Sequence, residues 1–374
     1  QQSMRENART GRTPQQVMDD AMWGVFEEGW RDPWGADADH LKTTADIDLC
    51  VAAGYTFYTI DPGDHVDNAA HTDELVVLRE KFNVLPWQRL HDYPDAMRAR
   101  YLSSWGKPGG AGEVLALAFD EMSLLRAACK YGKALGHTAA MYEHLVVAKG
   151  GEPFELEVSV DETETPTSPL EHAFVASELS RLGVVWVSLA PRYVGRFEKG
   201  VDYIGDLATF DAEFAQHAEI ARVLGPYKLS IHSGSDKFSI YPSMAKHTRR
   251  IAHLKTAGTS YLEALRAVAK SDPTLFREIL TLARARYGED RASYHVSADV
   301  ERVPDQSELT DDGLPGVLDL FDGREVLHVT FGSVLAMYGD QLRAVLDANE
   351  EVYRDVLKAH FVRHLMPFSQ DFEA

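Results

Sequence analysis

The stretch Glu155-Leu156-Glu157-Val158-Ser159-Val160-Asp161-Glu162-Thr163, followed after a short turn by Ser168-Pro169-Leu170-Glu171, decides how this chain folds. Its first half alternates apolar and polar residues, the period of a strand with two different faces. Its second half is a capping box with proline at the first helical position, so a helix starts there. A strand that runs through a polar turn into a helix is one βα unit. The same rhythm recurs outward in both directions. It predicts strands over 34–39, 56–61, 154–159, 184–190, 228–232, 252–256, 293–297 and 325–330. Parallel strands with a helical crossover between each pair define an α/β protein, and eight such units close into a (β/α)8, TIM-type barrel.

Helix punctuation supports the alternation. Phe210, Phe214, Ala218, Ala221 and Leu224 form an apolar stripe that stops at Gly225-Pro226. Ser260 with Glu263 reads as a second capping box, and Asp272-Pro273 opens a further helix. Residues 66–150 break the rhythm and read as a helical insertion, or lid, between strands two and three. The expectation is a single barrel over 1–374 that carries this insertion.

Of the 374 residues 45% are hydrophobic, enough for a large core, and no apolar run reaches the roughly 18 residues that span a bilayer. The opening residues lack the apolar segment of a secretory signal, and the two cysteines, Cys50 and Cys129, lie in apolar helical contexts. Buried thiols in a reducing cytoplasm are the expectation. The net charge of −20 repels phosphate backbones, which argues against nucleic-acid binding. An anionic small molecule would need a local group of cations. A homo-oligomer is compatible with this composition.

In a barrel, the groups at the C-terminal strand ends converge on one site. There the sequence places His232, His295 and His328, together with the adjacent acids Asp161 and Glu162. Imidazoles with a carboxylate suit a divalent metal, zinc first, with manganese, nickel or cobalt as alternatives. The expected ligands are Glu162, His232, His295 and His328. Asp161 is then free to act as a base, although spacing alone leaves the two acids interchangeable. Asp236 and Lys237 follow His232 closely, as an acid–ammonium pair fit for proton transfer or for holding an anion. Asp37, His40, Lys42, Asp61, Arg192, Ser233 and Lys255 are expected to contact a polyol substrate. A solvated Asp–Lys pair and hydrogen-bonded structural histidines are the plainer reading of each residue taken singly. No phosphate-binding loop, serine elbow or dinucleotide fingerprint is present.

Several ordered blocks resemble the tagaturonate epimerase family, which is related to the tagatose 4-epimerases. They are the 154–163 run with Ser168-Pro169-Leu170-Glu171-His172, Ser188-Leu189-Ala190-Pro191-Arg192, Asp202-Tyr203-Ile204-Gly205-Asp206, and the run from Tyr227 through His232-Ser233-Gly234-Ser235-Asp236-Lys237. Asp39-His40-Leu41-Lys42-Thr43, Thr59-Ile60-Asp61-Pro62, His253-Leu254-Lys255-Thr256 and His295-Val296-Ser297-Ala298 also fit. The resemblance implies a metal-dependent interconversion of tagaturonate and fructuronate, or of free tagatose and fructose, at carbon 4 counted from the ketose end. The proton on that carbon is not α to the ketone, so a retro-aldol route through carbons 3 and 4 is the expected chemistry. Asp161 would be the base and Lys237 the acid or carboxylate clamp, with Asp236 orienting it. An aldose–ketose isomerase or an aldolase on the same barrel is the alternative. A sugar-binding protein would need neither acid nor metal.

Overall fold

Six short runs, Gln2–Ser3 (β1), Asp37–Leu41 (β2), Phe57–Ile60 (β3), Glu155–Val160 (β4), Ser188–Pro191 (β5) and Lys228–Ile231 (β6), form parallel strands that neighbour one another in chain order. The computed structural model describes residues 2–107, 110–256, 259–294 and 296–369. Its internal contacts divide the chain into two compact units, Gln1–Val194 with Asp211–Ile231, and Gly195–Phe210 with His232–Ala374.

The first unit is a half-barrel rather than a closed eight-strand ring, which corrects the (β/α)8, TIM-type expectation. The last two expected strands supply no sheet. Residues 325–330 lie in and just beyond the helix Phe321–Val329. Around 293–297 the chain makes a 3-10 turn, Arg291–Ser293, and then irregular backbone, with His295 outside the described residues. Without those strands the wall cannot close.

In β4 the apolar residues Leu156, Val158 and Val160 face the main core, where Leu125, Ala128, Phe174 and Leu179 also lie. The alternate residues Glu157 and Ser159 form the polar face, which period two extends to Asp161. The Ser168 capping box is present, with Ser168 Oγ accepting from the Glu171 N–H, and it opens the helix Pro169–Arg181. The 66–150 segment contains several helices. Its main element is the helix Glu121–Lys149, capped by Asp120 and ended by Gly150 at φ +56°. Leu124, Leu125, Ala128, Tyr131 and Leu135 sink from it into the core.

The second unit is mainly helical and contains the three-residue strand Ala252–Leu254 (β7). Its core gathers Leu262, Leu265, Phe276, Ile279, Leu280, Val326 and Leu327. No described helix is long and apolar enough to cross a membrane. Cys50 and Cys129 are buried free thiols.

Candidate active site

The C-terminal ends of β2, β3 and β4 bring one group of side chains together in the first unit. Register partners Ala38↔Tyr58 and Leu41↔Ile60 leave one extra residue in β2, a bulge, and His40 takes up the slack at φ +54°. Its Nδ1 lies 3.0 Å from Asp61 Oδ2. The other Asp61 oxygen accepts from the Gly63 N–H at 2.8 Å. A Cβ at Gly63 would lie 3.0 Å from Asp61 Oδ1 and 3.2 Å from Glu162 Cβ, so any larger residue would push against both acids. Burial alone would raise the Asp61 carboxyl, but His40, the Gly63 N–H and Lys42 together hold it below the ordinary carboxylate range.

Lys42 Nζ lies 2.9 Å from Asp64, 3.3 Å from Glu162 and 3.6 Å from Asp61. Partial burial works against its charge, yet these three acids raise its pKa above the ordinary lysine value. Three carboxylates against one ammonium leave a surplus of two negative charges. One ligand atom from each of His40, Asp61 and Glu162 falls within 4.8 Å of the others, a spacing that suits a divalent cation.

Beneath this group, Thr59, Glu157 and Ser188 are register partners across β3, β4 and β5. Ser188 Oγ donates to fully buried Glu157 at 2.6 Å, and Thr59 Oγ1 lies 3.0 Å from Asp37 Oδ1. Ser159 Oγ donates to Asp161. Lys130, buried and passed over in the sequence, pairs with Glu171 at 3.2 Å. Burial, incompletely offset by Glu171, lowers its pKa. Nothing in its helical setting distinguishes it from a surface lysine on sequence alone.

The second unit holds the Ser233–Lys237 turn. Lys237 is fully buried, and its ammonium donates to three backbone carbonyls: Glu198 at 2.8 Å, Val201 at 2.6 Å and Ser235 at 3.0 Å. Burial pushes its pKa down to about 8. Asp236, at φ +62°, faces Arg324 NH2 at 3.0 Å and donates its N–H to His364 Nε2 at 3.0 Å. His364 Nδ1 in turn donates to the His360 carbonyl at 2.8 Å. Asp236, His360 and His364 have a spacing a metal could use. However, both nitrogens of His364 are already committed, and Arg324 already balances the acid, so a hydrogen-bond network fits these residues better than an ion. His360 and His364 sit four apart on the helix Glu350–Leu365, a spacing visible in the sequence, whereas their link to Asp236 spans 128 residues.

His328 is a buried imidazole on a helix. Burial, reinforced by the charges of Lys199, Arg324 and Lys237, pushes its pKa down to about 3, so it is neutral at pH 7. Its Nδ1 has no hydrogen-bond partner among the described residues, the state of an imidazole able to ligate. Glu325, one helical turn earlier, shares Ser297 with Glu198: the Ser297 N–H lies 2.8 Å from Glu198 Oε2 and 3.1 Å from Glu325 Oε2. Burial and Glu198 push Glu325 up to about 8. His232 and Lys255 are buried, and the Lys255 carbonyl accepts from the Gly234 N–H at 3.1 Å. Thus Asp37, His40, Lys42, Asp61, Asp161, Glu162 and Arg192 belong to the first unit. His232, Ser233, Asp236, Lys237, Lys255 and His328 belong to the second.

The tagaturonate epimerase family model matches residues 1–367. A tagaturonate/fructuronate epimerase of Thermotoga maritima is 46% identical over 369 residues, covering 98% of this chain and 74% of the relative. The native crystal structure of the fructuronate-tagaturonate epimerase from Cohnella laeviribosi matches with a TM-score of 0.90 and 37% identity, over 98% of this chain and 74% of that one. The same enzyme with two glycerols matches at 0.90 and 37%, over 98% and 75%. Fold and likeness together define an isomerase of the epimerase class. The chain belongs to the tagaturonate epimerase family.

Proposed function

We propose that this chain interconverts tagaturonate and fructuronate by inverting carbon 4 of the ketose, using a divalent metal and a retro-aldol step. The substrate pair comes from the relatives' names. The observation that carries the chemistry is the placement of Asp161 and Glu162 just past β4, with Glu162 in the His40–Asp61–Lys42 cluster. In this reading the Asp161 carboxylate takes the proton of the carbon-4 hydroxyl, and the bond between carbons 3 and 4 breaks. Its electrons move toward the ketone, leaving an aldehyde at carbon 4. Rotation of that aldehyde and re-addition, with the proton returned from Asp161, give the epimer. A bound cation, with zinc first and manganese, nickel or cobalt as alternatives, supplies positive charge for the oxygen on which negative charge builds.

Glu162, His40 and Asp61 are the donors that fit such an ion in the first unit. In the second, neutral His328 is a suitable donor type, and His232 and His295 remain in the proposed set. Lys237 would have to leave its three carbonyl partners to act as an acid. A cytoplasmic setting belongs to the same proposal and is supported by the two free thiols.

The test is NMR of tagaturonate, and separately tagatose, incubated with metal-loaded protein. Appearance of the second ketose supports the reading. An aldose product would indicate an isomerase, and two fragments an aldolase.

A further inference from the structure

The first unit gathers three cations near the ends of β2, β4 and β5, and two of them are already matched by acids. Lys42 faces Asp61, Asp64 and Glu162, and Lys130 faces Glu171. Arg192 differs. It directly follows β5, it is half-buried, and among the described residues its guanidinium has no hydrogen-bond or ion-pair partner. In a chain with 58 acidic and 38 basic residues, a half-buried guanidinium without a carboxylate is out of character. The charge of Arg192 is felt at the buried ammonium of Lys130, which Glu171 already matches, so Arg192 is, among the described residues, the one of the three cations without an acid of its own.

Position adds to charge. Val160 and Pro191 are register partners in β4 and β5, so Asp161 and Arg192 are the next residues on neighbouring strands. Such strands lie about 5 Å apart. The Thr167 N–H donates to the Arg192 carbonyl at 2.8 Å, and the Arg192 N–H donates to Thr167 Oγ1 at 3.1 Å. Arg192 is thereby fixed to the far end of the turn that carries Asp161 and Glu162. In a hexuluronate, carbon 4 and the carboxylate carbon are two bonds apart, which suits a base and a clamp on adjacent strand ends.

We propose that Arg192 binds the substrate carboxylate and so sets the preference for hexuluronates over free ketohexoses. Its planar fork matches a carboxylate with two parallel hydrogen bonds. After carbons 3 and 4 separate, the aldehyde fragment still carries that carboxylate, and Arg192 holds it while the aldehyde turns. A free ketohexose has a hydroxymethyl group there and gains nothing from the clamp. This inference rests on the proposed reaction.

The experiment compares kcat/KM for tagaturonate and tagatose in the full chain and in Arg192→Gln and Arg192→Lys, with tartronate binding measured by calorimetry. Arg192→Gln is expected to lose about 10- to 100-fold on tagaturonate, chiefly through KM, and to change little on tagatose. Arg192→Lys should fall between, and tartronate affinity should drop with the same ranking. An unchanged preference, or unchanged tartronate affinity in either variant, would overturn the assignment. Should Arg192→Gln not fold, Arg192→Lys and tartronate still decide it. If the unmodified chain leaves tagaturonate unchanged, the proposed reaction fails, and tartronate binding judges Arg192 separately.

Discussion

His40 Nδ1 lies 3.0 Å from Asp61 Oδ2, and this contact ties the bulged end of β2 to the end of β3. Asp61 is 2% exposed, and its lowered pKa makes the contact depend on pH. Its contribution to stability is complete above the unfolded carboxylate value of about 3.9, and it is lost as pH falls through the lower folded value. Asp61→Asn should therefore cost about 1–3 kcal/mol at pH 7, and less in strong acid. Urea melts of chelator-treated protein at pH 7 and pH 3 measure this. An equal cost at both values contradicts it.

Glu325 has the opposite sign. Its pKa of about 8 in the folded chain means that it keeps its proton where an unfolded glutamate has lost it. The stabilisation is full below about 4.3 and disappears as pH rises toward 8. Glu325→Gln keeps a donor facing Glu198 without the proton. It should match the unmodified chain near pH 4.5 and exceed it in stability at pH 9. Thermal melts at the two pH values decide the matter, and a variant weaker at pH 9 would refute it.

The metal reading predicts that a chelator abolishes epimerisation and that an added divalent ion restores it. Asp161→Asn should retain bound metal, measured by elemental analysis, and lose turnover by at least about 100-fold. If Glu162→Gln does that instead while Asp161→Asn loses metal, the two acids exchange roles. Full turnover by metal-free protein excludes the scheme.

Lys130 and Glu171 form a buried pair 3.2 Å apart, and Glu171 also accepts from the Ser168 N–H at 2.7 Å. Lys130→Met strands the carboxylate and should cost about 3–5 kcal/mol in chemical denaturation. Adding Glu171→Gln removes the stranded charge, keeps the helix cap, and should recover at least half of that loss. A double variant no better than the single one would show that the cost is packing.

Where apolar residues alternated with polar ones, the strands were legible. Expected runs at 56–61, 154–159 and 228–232 lie within two residues of β3, β4 and β6. The run at 325–330 misled because every residue from Gly323 to Val329 is buried. A segment buried on all sides, with Arg324, Glu325 and His328 among its apolar residues, shows neither period clearly, and Val326 and Val329 favour a strand reading. That error also suggested a closed barrel. The acids and cations beyond β2 to β5 were legible as types at strand ends. The partners of Lys237 and Asp236 were not, because backbone carbonyls and a histidine 128 residues away leave no local pattern.

Lys237 holds the chain as a rivet holds plates: one ammonium secures the carbonyls of residues 198, 201 and 235. Reagents that modify amines should therefore reach it late, as they should the equally buried Lys130. When they do, the adduct will report that the 198–201 run and the Ser233–Lys237 turn have come apart, which makes this side chain a built-in gauge of local opening.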